Sequence, residues 1–148
     1  MKRFFITVLA ITGILLFSCS KDSIPPQLEG MTGTWRYIGY SGGFAGFPFK
    51  PVDTINLYLQ VDTANRRILV NNNGTLQCSN YTFEKSPDGN YGFLTLQDSI
   101  MYTKKFTVSL LHDTLSLYPT DFMDAFASYF KPVNQHFNWC TPAAGGSH

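Results

Sequence analysis

Apolar and polar residues alternate along much of this chain. The alternation is plainest in Ile55, Leu57, Leu59 and Val61, with Asn56 and Gln60 on the other face, and again in Phe106, Val108 and Leu110 against Thr107 and Ser109. A period of two places the two sets on opposite faces of a strand. Runs rich in aromatic and β-branched residues extend the pattern and predict strands over 34–41, 54–62, 67–71, 76–84, 91–97, 102–111 and 114–118. Turn residues separate them: Asp62-Thr63-Ala64-Asn65, Asn71-Asn72-Asn73-Gly74, Ser86-Pro87-Asp88-Gly89-Asn90 and His112-Asp113. Links this short make neighbouring strands antiparallel, so the pattern is an all-β, up-and-down meander.

Residues 121–131 break the alternation. Phe122, Ala125, Phe126, Tyr129 and Phe130 recur at helical spacing behind Thr120 or Asp121 as a cap, and Pro132 ends the run. They predict one amphipathic helix of about ten residues packed on the wall or mouth of a barrel. Val133 to Trp139 can supply an eighth strand before Cys140. The expected architecture is an antiparallel eight-stranded barrel with one short C-terminal helix, and Leu57, Leu59, Phe83, Phe93, Phe106 and Leu110 are expected to face inward.

The N-terminus reads differently. Met1-Lys2-Arg3 is basic, Phe4 to Phe17 is apolar but short for a membrane span, and Leu16-Phe17-Ser18-Cys19 follows. This segment, 1–18, resembles a bacterial lipoprotein signal peptide. The resemblance implies a diacylglycerol on the Cys19 sulfur, cleavage before it and acylation of the new amine. Residues 19–30 then form a polar tether with Pro25-Pro26, residues 31–140 the barrel domain, and residues 141–148 a disordered tail. Ser20-Lys21-Asp22 resembles the charged signal that exports such lipoproteins to the cell surface, so the expected location is the outer membrane, on its periplasmic face or on the cell surface. With Cys19 lipidated, Cys78 and Cys140 remain, and an oxidising compartment favours their pairing over two buried free thiols.

Gly33-Thr34-Trp35 opens the first strand just after the tether. It is similar to the G-x-W motif of lipocalins and related calycins, in which the Trp closes the barrel floor. The meander, the late helix and a bridge from the C-terminus to a mid-chain strand resemble the same superfamily. Thr120-Asp121-Phe122 matches the family's second motif by letters but reads as a helix cap. No Arg follows Arg67 to stack on the floor Trp. The chain thus most resembles the small lipocalin-like lipoproteins of Bacteroidota, and Gly33 and Trp35 are the floor residues it implies. A further resemblance lies in Asp followed by Ser or Thr and an aliphatic residue, the pattern of O-glycosylation in that phylum. Five of the eight Asp precede such a hydroxyl, where composition alone gives about one in six. The candidate hydroxyls are Ser23, Thr54, Thr63, Ser99 and Thr114; the same spacing also arises where Asp ends a turn and a β-branched residue starts a strand.

Candidate chemistry is sparse. His112, His136 and His148 are scattered, Glu29 and Glu84 are the two glutamates, and no residues fall at metal-ligand spacing. We therefore expect no catalytic residue, metal or cofactor. Removal of Lys2 and Arg3 takes the formal charge from +1 to −1, which gives no footing for nucleic acid. The conspicuous segment is 42–51, in which Phe44, Phe47 and Phe49 stand among Gly and Pro residues. Those rings, with Tyr118, either contact a ligand or partner at the mouth or plug the barrel end. Two functions remain open: a lipid-anchored barrel that binds a small hydrophobic or amphipathic ligand, and a filled barrel that acts as an interaction module, accessory subunit or inhibitor toward an envelope protein.

Overall fold

The computed structural model describes residues 30–43 and 45–140. The expected signal peptide, Cys19, the expected tether up to residue 29, Ser23, Phe44 and residues 141–148 lie outside the described residues. Nine strands form one antiparallel sheet: β1 (Gly33–Gly42), β2 (Phe47–Pro51), β3 (Leu57–Asp62), β4 (Arg67–Asn72), β5 (Thr75–Lys85), β6 (Gly92–Ile100), β7 (Thr103–Leu111), β8 (Thr114–Pro119) and β9 (Phe126–Val133). Strands β3 to β9 pair in chain order, and β9 also pairs with β1 from Thr34↔Val133 to Gly42↔Phe126. This closes an eight-stranded barrel of β1 and β3–β9. The ninth strand, β2, lies on the same edge of β1 as β3 but farther along, pairing Gly39↔Pro51 and Tyr40↔Lys50 beyond the Arg36↔Tyr58 pair.

The seven strands read from the sequence coincide with β1 and β3–β8 to within three residues at either end. The expected helix does not form. Residues 126–131 of that stretch lie in β9, which fills the gap between β1 and β8. Without β9 both neighbours would expose a row of unpaired backbone groups, a cost far larger than the helical preference of a Phe-, Tyr- and Ser-rich segment. Val133 is likewise the last residue of β9, so residues 134–139 add no strand of their own.

Chain direction defines two ends. The start of β1, the β5–β6 and β7–β8 turns and the end of β9 form the base. The end of β1, β2, the β4–β5 and β6–β7 turns and the β8–β9 connection form the mouth. The interior is one cluster that includes Trp35, Tyr37, Leu59, Tyr81, Phe106 and Phe130, all buried. Full burial of such side chains stabilises the fold by about 1.5–3 kcal/mol each. One expected inward residue points elsewhere: Phe93 is exposed because its neighbours Gly92 and Leu94 take the inward parity of β6; Ile55, read in one alternation with Leu57, is exposed because β3 begins only at Leu57. At the base Met31 is buried beneath the barrel, and Trp35 Nε1 donates to the Met31 carbonyl at 2.9 Å. Trp35 thus sits where the floor residue was expected, held by a backbone carbonyl.

Candidate binding surfaces of the barrel

Three regions of the barrel can engage something outside it: the mouth, a splayed seam in the wall and a cleft at the base. Among the described residues eleven large apolar side chains are substantially exposed, and nine of them lie at the mouth. Met123, at the tip of the β8–β9 connection, and Tyr102, in the β6–β7 turn, are 103% and 95% exposed. Isolated exposed apolar residues are ordinary on a monomer, but their concentration at one end is the mark of an interaction surface.

The Phe-rich segment is part of this rim. Phe47 stacks on Phe126 with ring centroids 6.5 Å apart, Phe126 meets Tyr40 edge-on at 5.4 Å, and the Lys50 ammonium lies 4.9 Å from the Phe47 ring centre. Phe49 takes different company: it packs edge-on against Tyr129 at 5.5 Å and lies over Gly39, where any β-carbon would strike its ring and the Lys50 carbonyl. A slip in register between Tyr40 and Gly42 lets the two rings take separate partners. Phe47 and Phe49 are both exposed at the mouth. Tyr118 stands on the outside of β8 at the same end, opposite Thr107. Asp121, expected to cap a helix, accepts hydrogen bonds from Thr103 Oγ1 at 3.0 Å and from the Lys104 amide at 3.4 Å, tying the β8–β9 connection to β7.

The wall is incomplete near the mouth. β5 and β6 pair only from Tyr81↔Leu96 to Lys85↔Gly92, and no ladder pair joins Thr75–Asn80 to β6. β6 bulges here: between the pairs Thr95↔Lys105 and Ile100↔Thr103, four residues of β6, 96–99, oppose the single residue Lys104 of β7. Side chains bridge the lower part of the seam, with the Asp98 amide donating to Ser79 Oγ at 2.8 Å and Asn80 Nδ2 donating to Gln97 Oε1 at 3.2 Å. Above them lies a cleft of about 260 Å³ lined by Leu57, Val70, Asn72, Thr75, Gln77, Met101 and Tyr102. Met101 and Tyr102 form its far wall from a two-residue turn in which both have positive φ, 52° and 69°. Such a turn favours Asn-Gly, as at Asn73-Gly74, and an ordinary side chain there costs roughly 1–2 kcal/mol per residue.

A second cleft, of about 390 Å³, opens at the base between Gly30–Met31, the β5–β6 turn and the β7–β8 turn, with Phe83, Tyr91, Val108 and Leu110 in its walls. Met31 and Val108 belong to the buried cluster, and Phe83 and Leu110 pack against it, so the cleft borders the base of the core.

The outer face of β3–β5 is covered by the chain's own C-terminal residues 134–140. Gln60 Nε2 donates to the Phe137 carbonyl at 3.1 Å and the Phe137 amide donates to Gln60 Oε1 at 2.7 Å. Phe137 meets Tyr58, the Arg67 guanidinium lies 4.7 Å from the centre of the Trp139 ring, and Cys140 is disulfide-bonded to Cys78. Gln60 and Leu69 are fully buried as a result. The sequence placed Gln60 on a polar outer face; its polar partner is the backbone of this strap.

The candidate glycosylation positions differ in access. Thr54 and Ser99 are exposed and Thr114 is half-buried, whereas Thr63 is buried with its hydroxyl hydrogen-bonded to Thr32 Oγ1. Titratable groups gather nowhere: among the described residues no three His, Cys, Asp or Glu side chains are placed to hold a metal, and His112 and His136 are both exposed. Burial, with Tyr40 nearby, pushes the Tyr37 phenol up in the middle of β1, and further shifted groups lie nearer the base. Burial works against the charge of Asp62, yet hydrogen bonds from the Asn65 side chain and amide and from Arg67 outweigh it and hold the carboxyl below its ordinary range. Burial, reinforced by Asp62, pushes the Tyr81 phenol up to about 12. Neither arrangement offers a nucleophile with a base beside it.

The sequence reading includes the Cys78–Cys140 bridge, which the structure contains, but not the seam. The only sequence signal for it is Met101-Tyr102 at a hairpin turn that favours Asn-Gly. A scan against protein-family models finds no match, and searches of the curated proteins and of the solved structures find none.

Proposed function

We propose that this chain is a small lipocalin-like lipoprotein of the Bacteroidota type, anchored to the outer membrane through lipid on Cys19. In this reading its filled barrel is a non-catalytic module that binds an envelope protein through the mouth. The observation that carries it is the division of apolar surface: inward side chains close the interior, and the exposed ones gather at the end opposite Gly30. A chain tethered at its base turns that rim away from its own membrane leaflet, toward other proteins. Rings are well suited to such contacts because they present large area at small entropic cost. A photoreactive residue in place of Met123, irradiated in the native envelope, is expected to give an adduct with a protein; an adduct with lipid alone, or none, contradicts the reading.

The base cleft favours a second reading, in which a small hydrophobic ligand sits beside Met31, Phe83 and Leu110. O-glycosylation at Thr54 or Ser99 is compatible with either, and a denatured mass above that of the lipidated polypeptide reports it.

A further inference from the structure

We infer that the seam between β5 and β6 takes an extended segment of the partner protein as an added strand along Thr75–Cys78. The inference rests on the interaction-module reading and specifies where and how the partner binds. Three independent features converge on the seam.

The first is the open ladder. β5 pairs with β4 throughout Thr75–Asn80, but among the described residues no strand pairs with its other edge over Thr75–Cys78, so backbone donors and acceptors there face the gap. An edge of this kind is a template for main-chain pairing with another polypeptide. The other free edge in the sheet is guarded: β2 reads Phe-Pro-Phe-Lys-Pro, with two residues that lack an amide proton and one charge. β5 carries neither Pro nor charge over Thr75–Asn80.

The second is the cleft beside the edge. Leu57 and Val70 supply an apolar floor, and Asn72, Thr75 and Gln77 supply hydrogen-bonding groups. No charged side chain lines it, so it suits a neutral side chain of an added strand, with alternate residues pointing into the cleft and out to solvent. Leu76, exposed on the outer face of β5, would meet the outward set.

The third is the strained turn. Met101 and Tyr102 hold left-handed backbone conformations in the turn that closes the β6–β7 hairpin; Met101 packs against the core, whereas Tyr102 is almost fully exposed and stands at the lip of the cleft. Strain kept at a surface turn points to use of the side chain it displays.

The chain's own C-terminus starts beside the seam, since Cys140 is bonded to Cys78. Residues 141–148, Thr-Pro-Ala-Ala-Gly-Gly-Ser-His, have no large apolar side chain for the cleft and a poor composition for a strand, which favours a partner segment as the occupant.

Hydrogen–deuterium exchange of the protein purified from its envelope tests this, with capped hexapeptides of alternating Thr and Val as probes. The central residue is varied through Val, Leu, Phe, Asn and Gln. At least one peptide is expected to slow exchange across residues 75–80 and 97–102, and Gln77→Lys is expected to weaken it at least tenfold. Replacing the turn (Met101→Asn with Tyr102→Gly) relieves strain, so it should raise stability while lowering peptide affinity. Protection confined to β2 or the base, or none with any peptide at millimolar concentration, overturns the inference. Photoreactive residues at positions 76 and 102 separate it from the wider reading. Protein adducts at position 123 but none at 76 or 102 would leave the interaction module standing and remove the added strand.

Discussion

Gln60 and Phe137 hold each other through both ends of one amide: the side chain of the first pairs with the backbone N–H and C=O of the second, at 2.7 and 3.1 Å. One strand residue thus acts as a docking partner for the C-terminal strap and does for it what a neighbouring strand would do. Gln60→Ala removes both bonds and leaves the Phe137 groups without protein partners. At about 1 kcal/mol per bond, with more for groups left buried, the expected loss is about 2–3 kcal/mol in urea denaturation. A change below about 0.5 kcal/mol would show that the strap is held by the disulfide and Trp139 alone.

The Cys78–Cys140 bridge closes a separation of 62 residues. In the chain-entropy model a loop of this size stabilises by roughly 4 kcal/mol at best. Cys140→Ala with Cys78→Ala should lower stability by about 2–4 kcal/mol and free the strap. Trp139 emission should then shift to the red, while Trp35, buried at the base, stays as it is.

Much of this was legible in the sequence because closed antiparallel sheets obey local rules. Alternation at Leu57, Leu59 and Val61 and the Asn73-Gly74 turn need no knowledge of distant residues. The errors arose where distant residues decide. Phe126 and Phe130 fit a helical stripe, and only the open edges of β1 and β8 make them a strand. Gln60 reads as solvent-facing until a segment more than seventy residues away lies over it. β2 reads as a loop because two Pro and a Lys disguise it, which is how an edge strand avoids unwanted pairing. The splayed seam depends on the β6 bulge at Leu96–Ser99, for which no residue is a marker.

Tyr81 is buried in the barrel interior and its hydroxyl has no partner among the described residues. Tyr81→Phe is expected to raise stability by about 1 kcal/mol at neutral pH by removing an unsatisfied group. Its pKa is about 12 in the fold, above the ordinary 10 of the unfolded chain, so the folded state keeps its proton where the unfolded state loses it. The cost of ionising it in the fold is therefore absent below pH 10, and stability falls as pH rises from 10 toward 12. The phenylalanine variant should show a shallower alkaline limb in denaturation followed against pH; an identical limb would assign the loss to other groups.

Asp62 carries the opposite dependence. Its folded pKa lies below the unfolded value, so its contribution is present above the unfolded value, near 4, and disappears as pH falls through the folded one. Asp62→Asn should flatten the acid limb and, because the Asp62 charge reinforces the upward shift of Tyr81, also make the alkaline limb somewhat shallower; an unchanged acid limb would assign the acid loss to other groups.

His112 and Asp113 form the base counterpart of the strained mouth turn, with φ of 46° and 57°. Replacement by Asn-Gly should raise stability by about 1 kcal/mol or more. Unlike the same change at Met101-Tyr102, it should leave binding at the mouth untouched. A loss of partner adducts on changing the base turn would move the working face to the other end.

The central claim is a filled barrel that acts through its surface, and the most direct measurement compares the native and denatured masses of the protein purified from its envelope. The account predicts that the two agree, with the denatured mass reporting lipid on Cys19. A native mass higher by a few hundred daltons that is lost on denaturation would show a bound small molecule and make the barrel a carrier.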